Sequence, residues 1–276
     1  MNLREDALYL RLSTFQDLLN SADALRACDL IQDALGVRFT HTQDLGVTRR
    51  DRPLSPIPTL AALTALTGQG VNAAAHIKLL SSADAGASPW LDLLCGPHPY
   101  TGRYRVALDL RLPKALASRP QAAAQLTHLM ASLCDLCAPA AAHAHDADDN
   151  TTQNIRDPNL LRRAFGVEPP DDPDDRPGME VNLGELRYVV NWLTALGPEQ
   201  VEALGGPDHL RATPCPRAQP LPNGGWLFQL YDDPLSCATP ASRAIQRAVA
   251  QHWDLPQLAR AQGPTLAYWN RKSWRT

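Results

Sequence analysis

The chain has 276 residues, 44% of them hydrophobic and 20% charged, with a formal charge of −3. So much apolar material with so little net charge excludes a disordered chain and suffices to bury a sizeable core. No run approaches the ~18 apolar residues of a membrane span, and no apolar stretch precedes a cleavage site near the start. A cytoplasmic protein with no membrane partner is the expectation.

The charge is unevenly placed. Residues 141–180 hold ten acids against four arginines, a balance of −6, so the other 236 residues sum to +3. Such a segment repels phosphate, which argues against nucleic acid as a partner.

In chain order, Leu8, Leu10 and Leu12 alternate with Tyr9 and Arg11, the period of a half-buried strand over 7–12. Phe15, Leu18, Leu19, Ala22, Leu25, Leu30, Ile31 and Leu35 then follow a helical period that Gly36 stops. A short strand is expected over 37–41. After the Pro-rich turn at 53–58, Thr59 is placed to cap a short helix through Leu66. Three runs, 76–80, 90–95 and 103–112, are separated by Gly/Pro/Ser turns and read as a β-meander. The third is clearest, with Tyr104, Val106, Leu108, Leu110 and Leu112 alternating with Arg105, Asp109 and Arg111. Pro113 closes it, and an Ala/Leu helix follows to about Cys137, burying Leu126, Leu129, Met130, Leu133 and Leu136.

Residues 144–178 then read as an acidic, Pro-rich loop region, broken by one short helix that Asp157 caps, Pro158 opens and Phe165 ends. The prolines at 169, 170, 173 and 177 remove donors and predict a solvated loop. An apolar run over 187–196 precedes Gly197-Pro198-Glu199, which opens a helix ending at Gly205-Gly206. Pro222-Asn223-Gly224-Gly225 signals a hairpin between strands near 217–221 and 226–231, and Thr239-Pro240 starts a helix to about Trp253. The fold class that follows is α+β. An antiparallel or mixed sheet meander packs against helices, in a single large domain over 1–276 or in two similar-sized halves of it. Residues 264–276 form a basic, aromatic tail, a weak single-strand-binding pattern whose aromatics are expected to pack onto the domain.

Candidate chemistry is sparse. Cys134-x-x-Cys137 with His143, His145 and Asp146 offers zinc-ligand types, but the spacing departs from zinc-knuckle patterns. The two thiols fall at i and i+3 in an Ala/Leu helix, where buried cysteines are common. All six cysteines are expected to be reduced. The acids at 146, 148, 149, 171, 172, 174 and 175 lack EF-hand spacing. No G-x-S-x-G elbow, P-loop, G-x-G-x-x-G or H-E-x-x-H is present. No catalytic residue, metal or cofactor is therefore expected. A metal-dependent hydrolase built on His143, His145 and a nearby Asp is the enzymatic alternative.

The most specific signal is Arg187-Tyr-Val-Val-Asn-Trp-Leu-Thr-Ala-Leu-Gly-Pro-Glu-Gln-Val-Glu-Ala-Leu-Gly-Gly206. It resembles the V-N-W-L-x-x-L-G block, followed by a short helix ending in Gly-Gly, of the bacterial type VI secretion immunity family. The strand–helix step at Pro113, the His143-Ala-His145 segment, the hairpin at 222–226 and the helix at 242–253 resemble that family in order. The likeness covers roughly residues 100–255. It implies a non-enzymatic protein that binds a cognate secreted toxin in the cytoplasm and blocks its active site; a non-neutralising adaptor is a further alternative. The family-motif residues Asn191, Trp192, Leu193, Gly197, Gly205 and Gly206 are expected to be structural, with Asn191 satisfying backbone groups at a strand end. A toxin acting in the cytoplasm suggests a nuclease with a basic cleft. Asp146, Asp148, Asp149, Asp171, Asp172, Asp174 and Asp175 are accordingly the expected toxin-facing residues.

Overall fold

Alternation of leucine with polar residues sets the architecture. In the computed structural model, which describes residues 6–18, 23–44, 55–56, 75–82, 84, 88–97, 104–155, 157–170, 176–183 and 186–261, the first strand is the centre of a sheet. Ala7–Thr14 (β1) pairs antiparallel with Tyr104–Pro113 (β6) on one side and Ala141–Asp146 (β7) on the other. From β6 the sheet continues through Trp90–Pro97 (β5), Ala75–Leu80 (β4), His41–Asp44 (β2) and Ser55–Pro56 (β3). From β7 it continues through Leu193–Leu196 (β10), Trp226–Gln229 (β12) and Arg217–Pro220 (β11). These ten strands form one antiparallel sheet, which runs through both halves of the sequence. Val181–Leu183 (β8) and Leu186–Tyr188 (β9) make a separate two-stranded hairpin.

The register gives the sheet two unlike faces. Leu8, Leu10 and Leu12 stand opposite Leu112, Leu110 and Leu108, and those face Leu91 and Leu93 of β5. This leucine face is buried in one core with Asp23–Leu35 (α1) and Ala122–Cys137 (α3). Ala142 and Ala144 of β7 share it, and their small side chains leave room for the helix above. Thr14 fastens that layer by donating from Oγ1 to the Cys137 carbonyl at 2.7 Å. On the opposite face the odd-numbered residues of β1 and β6 put Tyr9, Arg11, Asp109 and Arg111 side by side.

Local sequence explains the remaining helices. Lys114–Ala117 (α2) follows Pro113 directly. Asp146 ends β7 and caps Ala147–Asn154 (α4), accepting from the backbone N–H of Asp148 at 2.8 Å and of Asp149 at 3.2 Å. Asp157 and Pro158 open Pro158–Leu160 (α5), which continues as one π-helical turn, Leu161–Phe165, stopped by Gly166 at φ 63°. Pro198–Ala203 (α6) and Gly206–Arg211 (α7) are joined through Gly205 and Gly206, both at positive φ, which explains the glycine pair. Thr239 caps Pro240–His252 (α8), and Leu255–Ala261 (α9) follows.

The meander, the 222–225 hairpin and the helices at 198–203 and 240–252 lie where the sequence places them, while the helix expected from Pro113 to Cys137 is split by residues 118–121 into α2 and α3. Three further expectations change. The first helix begins at Asp23, because β1 runs on to Thr14, and the second strand starts at His41 instead of ending there. The acidic region does not open as a loop: residues 141–146 are an interior strand and 147–154 a helix. Arg176, near its end, is 8% exposed and donates to the carbonyls of Thr152 (2.9 Å) and Ile155 at the end of α4. The helix expected after Thr59 and the tail 264–276 lie outside the described residues. No helix among the described residues is long and apolar enough to cross a membrane.

Candidate partner-binding surface

The Cys/His cluster is divided by the sheet. Cys134 and Cys137 sit on α3 over the leucine face, while His143 and His145 align with Arg11 and Tyr9 on the other face. No group of three metal-ligating side chains forms among the described residues. The cysteines are free thiols, and burial pushes Cys28 and Cys137 up to about 12 and the half-buried Cys215 to about 11. Thiolate is scarce at neutral pH in such sites.

The acids of the expected toxin-facing set divide into two groups. Asp146 is 5% exposed, with Lys114 Nζ at 2.8 Å from the carboxylate oxygen that is not capping α4. Asp148 meets the same ammonium at 3.3 Å. Burial opposes the Lys114 charge, but the hydrogen bonds and charges of Asp146 and Asp148 outweigh it and hold its pKa above the ordinary lysine value. Asp149 is 4% exposed and pairs with Arg243 of α8. These three carboxylates therefore join α2, β7, α4 and α8 through the chain's own cations. Asp171, Asp172, Asp174 and Asp175 lie outside the described residues.

Of the family-motif residues, Asn191, Trp192, Leu193 and Gly197 are interior, while Gly205 is exposed and Gly206 half-buried. Trp192 and Leu193 are 0% exposed, and the Trp192 indole donates to the Tyr231 carbonyl at 2.9 Å. Gly197 crosses the two residues before β7 so closely that a Cβ there would lie 2.6 Å from the Pro139 carbonyl oxygen. Its N–H donates to Gln200 Oε1 at 2.9 Å, starting α6. Asn191 does not serve the backbone as expected. Thr194 Oγ1 accepts from the Asn191 N–H and Gln246 donates to the Val190 carbonyl, while the Asn191 amide, 1% exposed, has no hydrogen-bond partner.

What spacing did not reveal is the charged face of the sheet. Arg11 Nε donates to Asp109 at 2.7 Å, and both side chains are about a third exposed (31% and 32%). Asp92 of β5 sits opposite Asp109 in the register and lies between His76 (3.2 Å) and Lys78 (3.8 Å) of β4. Lys78 caps the Trp90 ring at 4.0 Å, Trp90 meets Tyr9 edge-on, and Tyr9 stacks on His145, which stacks on His143. Both imidazoles are buried, 3% and 1% exposed. Burial, then Arg187 and Arg11, push both well below the ordinary histidine value, so they are neutral at pH 7. Arg187 of β9 lies over this face, paired with Glu180. Period-2 alternation in β1 and β6 was the signal for this face, but the partner strand β7 was needed to assemble it.

A scan against protein-family models finds no match, and a search of curated proteins finds none. Among solved structures the chain is similar to the Pseudomonas aeruginosa T6SS protein PA0821, with a TM-score of 0.58 and 16% identity. The match covers 90% of this chain and 73% of that one. At that identity the likeness is one of fold: a large antiparallel sheet with helices, shared with a type VI secretion protein.

Proposed function

We propose that the chain is a non-enzymatic, immunity-type protein that binds a type VI secretion toxin and neutralises it by occluding its active site. The observation that carries the reading is the fold shared with a type VI secretion protein over 90% of the chain. The V-N-W-L-x-x-L-G resemblance supports it independently. Because the residues of that block are buried, their role in the reading is to hold the scaffold, and recognition falls to the surface. Occlusion needs a standard interface of about 1,600 Å² and nanomolar affinity or better, because a small free fraction of toxin is lethal.

The protein that co-purifies with the tagged full chain from its own cells is expressed in a sensitive bacterium with and without this chain. Arrested growth, restored only when the chain accumulates in equimolar complex, is the expected result. A captured protein that does not arrest growth overturns the reading. So does restoration by substoichiometric chain that leaves the toxin covalently altered, which would mark an enzyme.

A further inference from the structure

The charged face carries a row of small side chains. Ser13 of β1 stands opposite Ala107 of β6 and Ala141 of β7, and Ala107 stands opposite Leu94 of β5. Three small, partly exposed side chains on adjacent strands make a low floor. One row away along the strands stand Asp109, Arg11 and His143, and two residues along β6 in the other direction stands Arg105. Arg187 reaches this place from β9, close enough for its charge to act on Arg105, Asp109 and His143.

Three guanidinium groups, Arg11, Arg105 and Arg187, share two carboxylates around the floor. Asp109 pairs with Arg11 and Glu180 with Arg187, and both carboxylates act on Arg105 from beyond ion-pairing distance. Polar capacity is also left over. The buried Nε–H of Arg187 has no hydrogen-bond acceptor, and the buried Nε2 of His143 has no hydrogen-bond partner. Burial first and repulsion from Arg187 second pull Arg105 below the usual guanidinium range against the pull of Glu180 and Asp109, and an incoming anion would add to those two. Beside the floor, Leu94 is 44% exposed, the more exposed of two large hydrophobic side chains on the described surface.

We infer that this basin is a docking site for an acidic side chain of a protein partner, whose carboxylate sits between Arg105 and Arg187 while neighbouring apolar atoms cover Leu94. The site rests on the immunity reading above in taking that partner to be the toxin. Planar guanidinium groups suit a carboxylate because each offers two parallel N–H donors. The partner therefore presents an acidic patch here, whatever the sign of its catalytic cleft.

The test uses the full chain with a hexaglutamate peptide as probe, followed by NMR of the His143 and His145 ring resonances. Saturable shifts are expected, with hexalysine and sodium chloride of matched ionic strength producing none. Arg105→Gln, at an unchanged melting temperature, is expected to weaken hexaglutamate binding by about ten-fold or more. Ser13→Glu, which fills the floor with a like charge, is a second variant with the same expected loss; should it not fold, Arg105→Gln still decides. Shifts that merely follow ionic strength, or an Arg105→Gln chain that binds as tightly as the native one, overturn the basin. In the growth assay, protection by the native chain that Arg105→Gln retains in full likewise overturns the basin and leaves immunity standing. No protection by the native chain overturns immunity itself.

Discussion

Removing the Arg243 side chain leaves the Asp149 carboxylate, 4% exposed, without the cation that compensates its burial. Burial pushes the Asp149 pKa up and Arg243 pulls it back, so Arg243→Ala is expected to cost about 3–5 kcal/mol in urea unfolding. Adding Asp149→Asn should recover part of that, because a neutral amide is cheaper to bury than an unpaired charge. The histidine pair makes a prediction of the opposite kind. His143 and His145 have folded-state pKa values far below their unfolded ones, so the unfolded chain binds more protons as pH falls. Their stabilising contribution is whole above the unfolded value of about 6.5 and declines below it, by about 1.4 kcal/mol per pH unit for each histidine. The raised pKa of Asp109 acts with the other sign and moderates this in the acid range. The double variant His143→Gln/His145→Gln should flatten the slope of unfolding free energy against pH between about 6.5 and 5. An equal slope in native and variant chains would remove the two histidines as its source.

Among the elements, the crossing of Gly197 over the two residues before β7 is the tightest test of the motif's structural role. Gly197→Ala places a methyl 2.6 Å from one carbonyl oxygen and 2.9 Å from the next, both backbone atoms that cannot swing aside. A loss of about 1–3 kcal/mol is expected in thermal or urea unfolding. Thr239→Ala, which removes the α8 cap, should cost about 1 kcal/mol by the same measurement. The legibility of elements follows the same physics. β6 was readable because its leucines alternate with charges, and α8 because Thr239-Pro240 announces a helix start. β7 was not readable. Ala-Ala-His-Ala-His-Asp alternates only alanine with histidine and has no β-branched residue or large apolar side chain, and it is a strand because β1 and β10 pair with it on both sides. Gln200 and Gln246 were equally silent, although both are fully buried and hold the Arg187 and Val190 carbonyls.

For the whole molecule, the partition of charge changes meaning once the chain is folded. The −6 of residues 141–180 includes Asp146, Asp148, Asp149 and Glu180, all paired with the chain's own cations, and Glu168, paired with Arg162. If the toxin has a basic cleft, its electrostatic attraction falls to Asp171, Asp172, Asp174 and Asp175. Changing those four to Lys should then slow association and flatten its dependence on salt. Stopped-flow association at low and high salt checks this, and equal rates for both chains would detach the acidic segment from recognition.

By itself the sequence determined the α+β class, the meander, most helices and the core leucines, because periodicity and capping are local properties that neighbouring residues enforce. It also placed the V-N-W-L block as scaffold, since Val, Trp and Leu are what an interior strand requires. Only the tertiary structure decided which acids are spent internally, that the paired cysteines and histidines are parted by the sheet, and that Ser13, Ala107 and Ala141 share one floor. Those outcomes depend on register between strands more than ninety residues apart, a long-range pairing that neither spacing nor composition encodes.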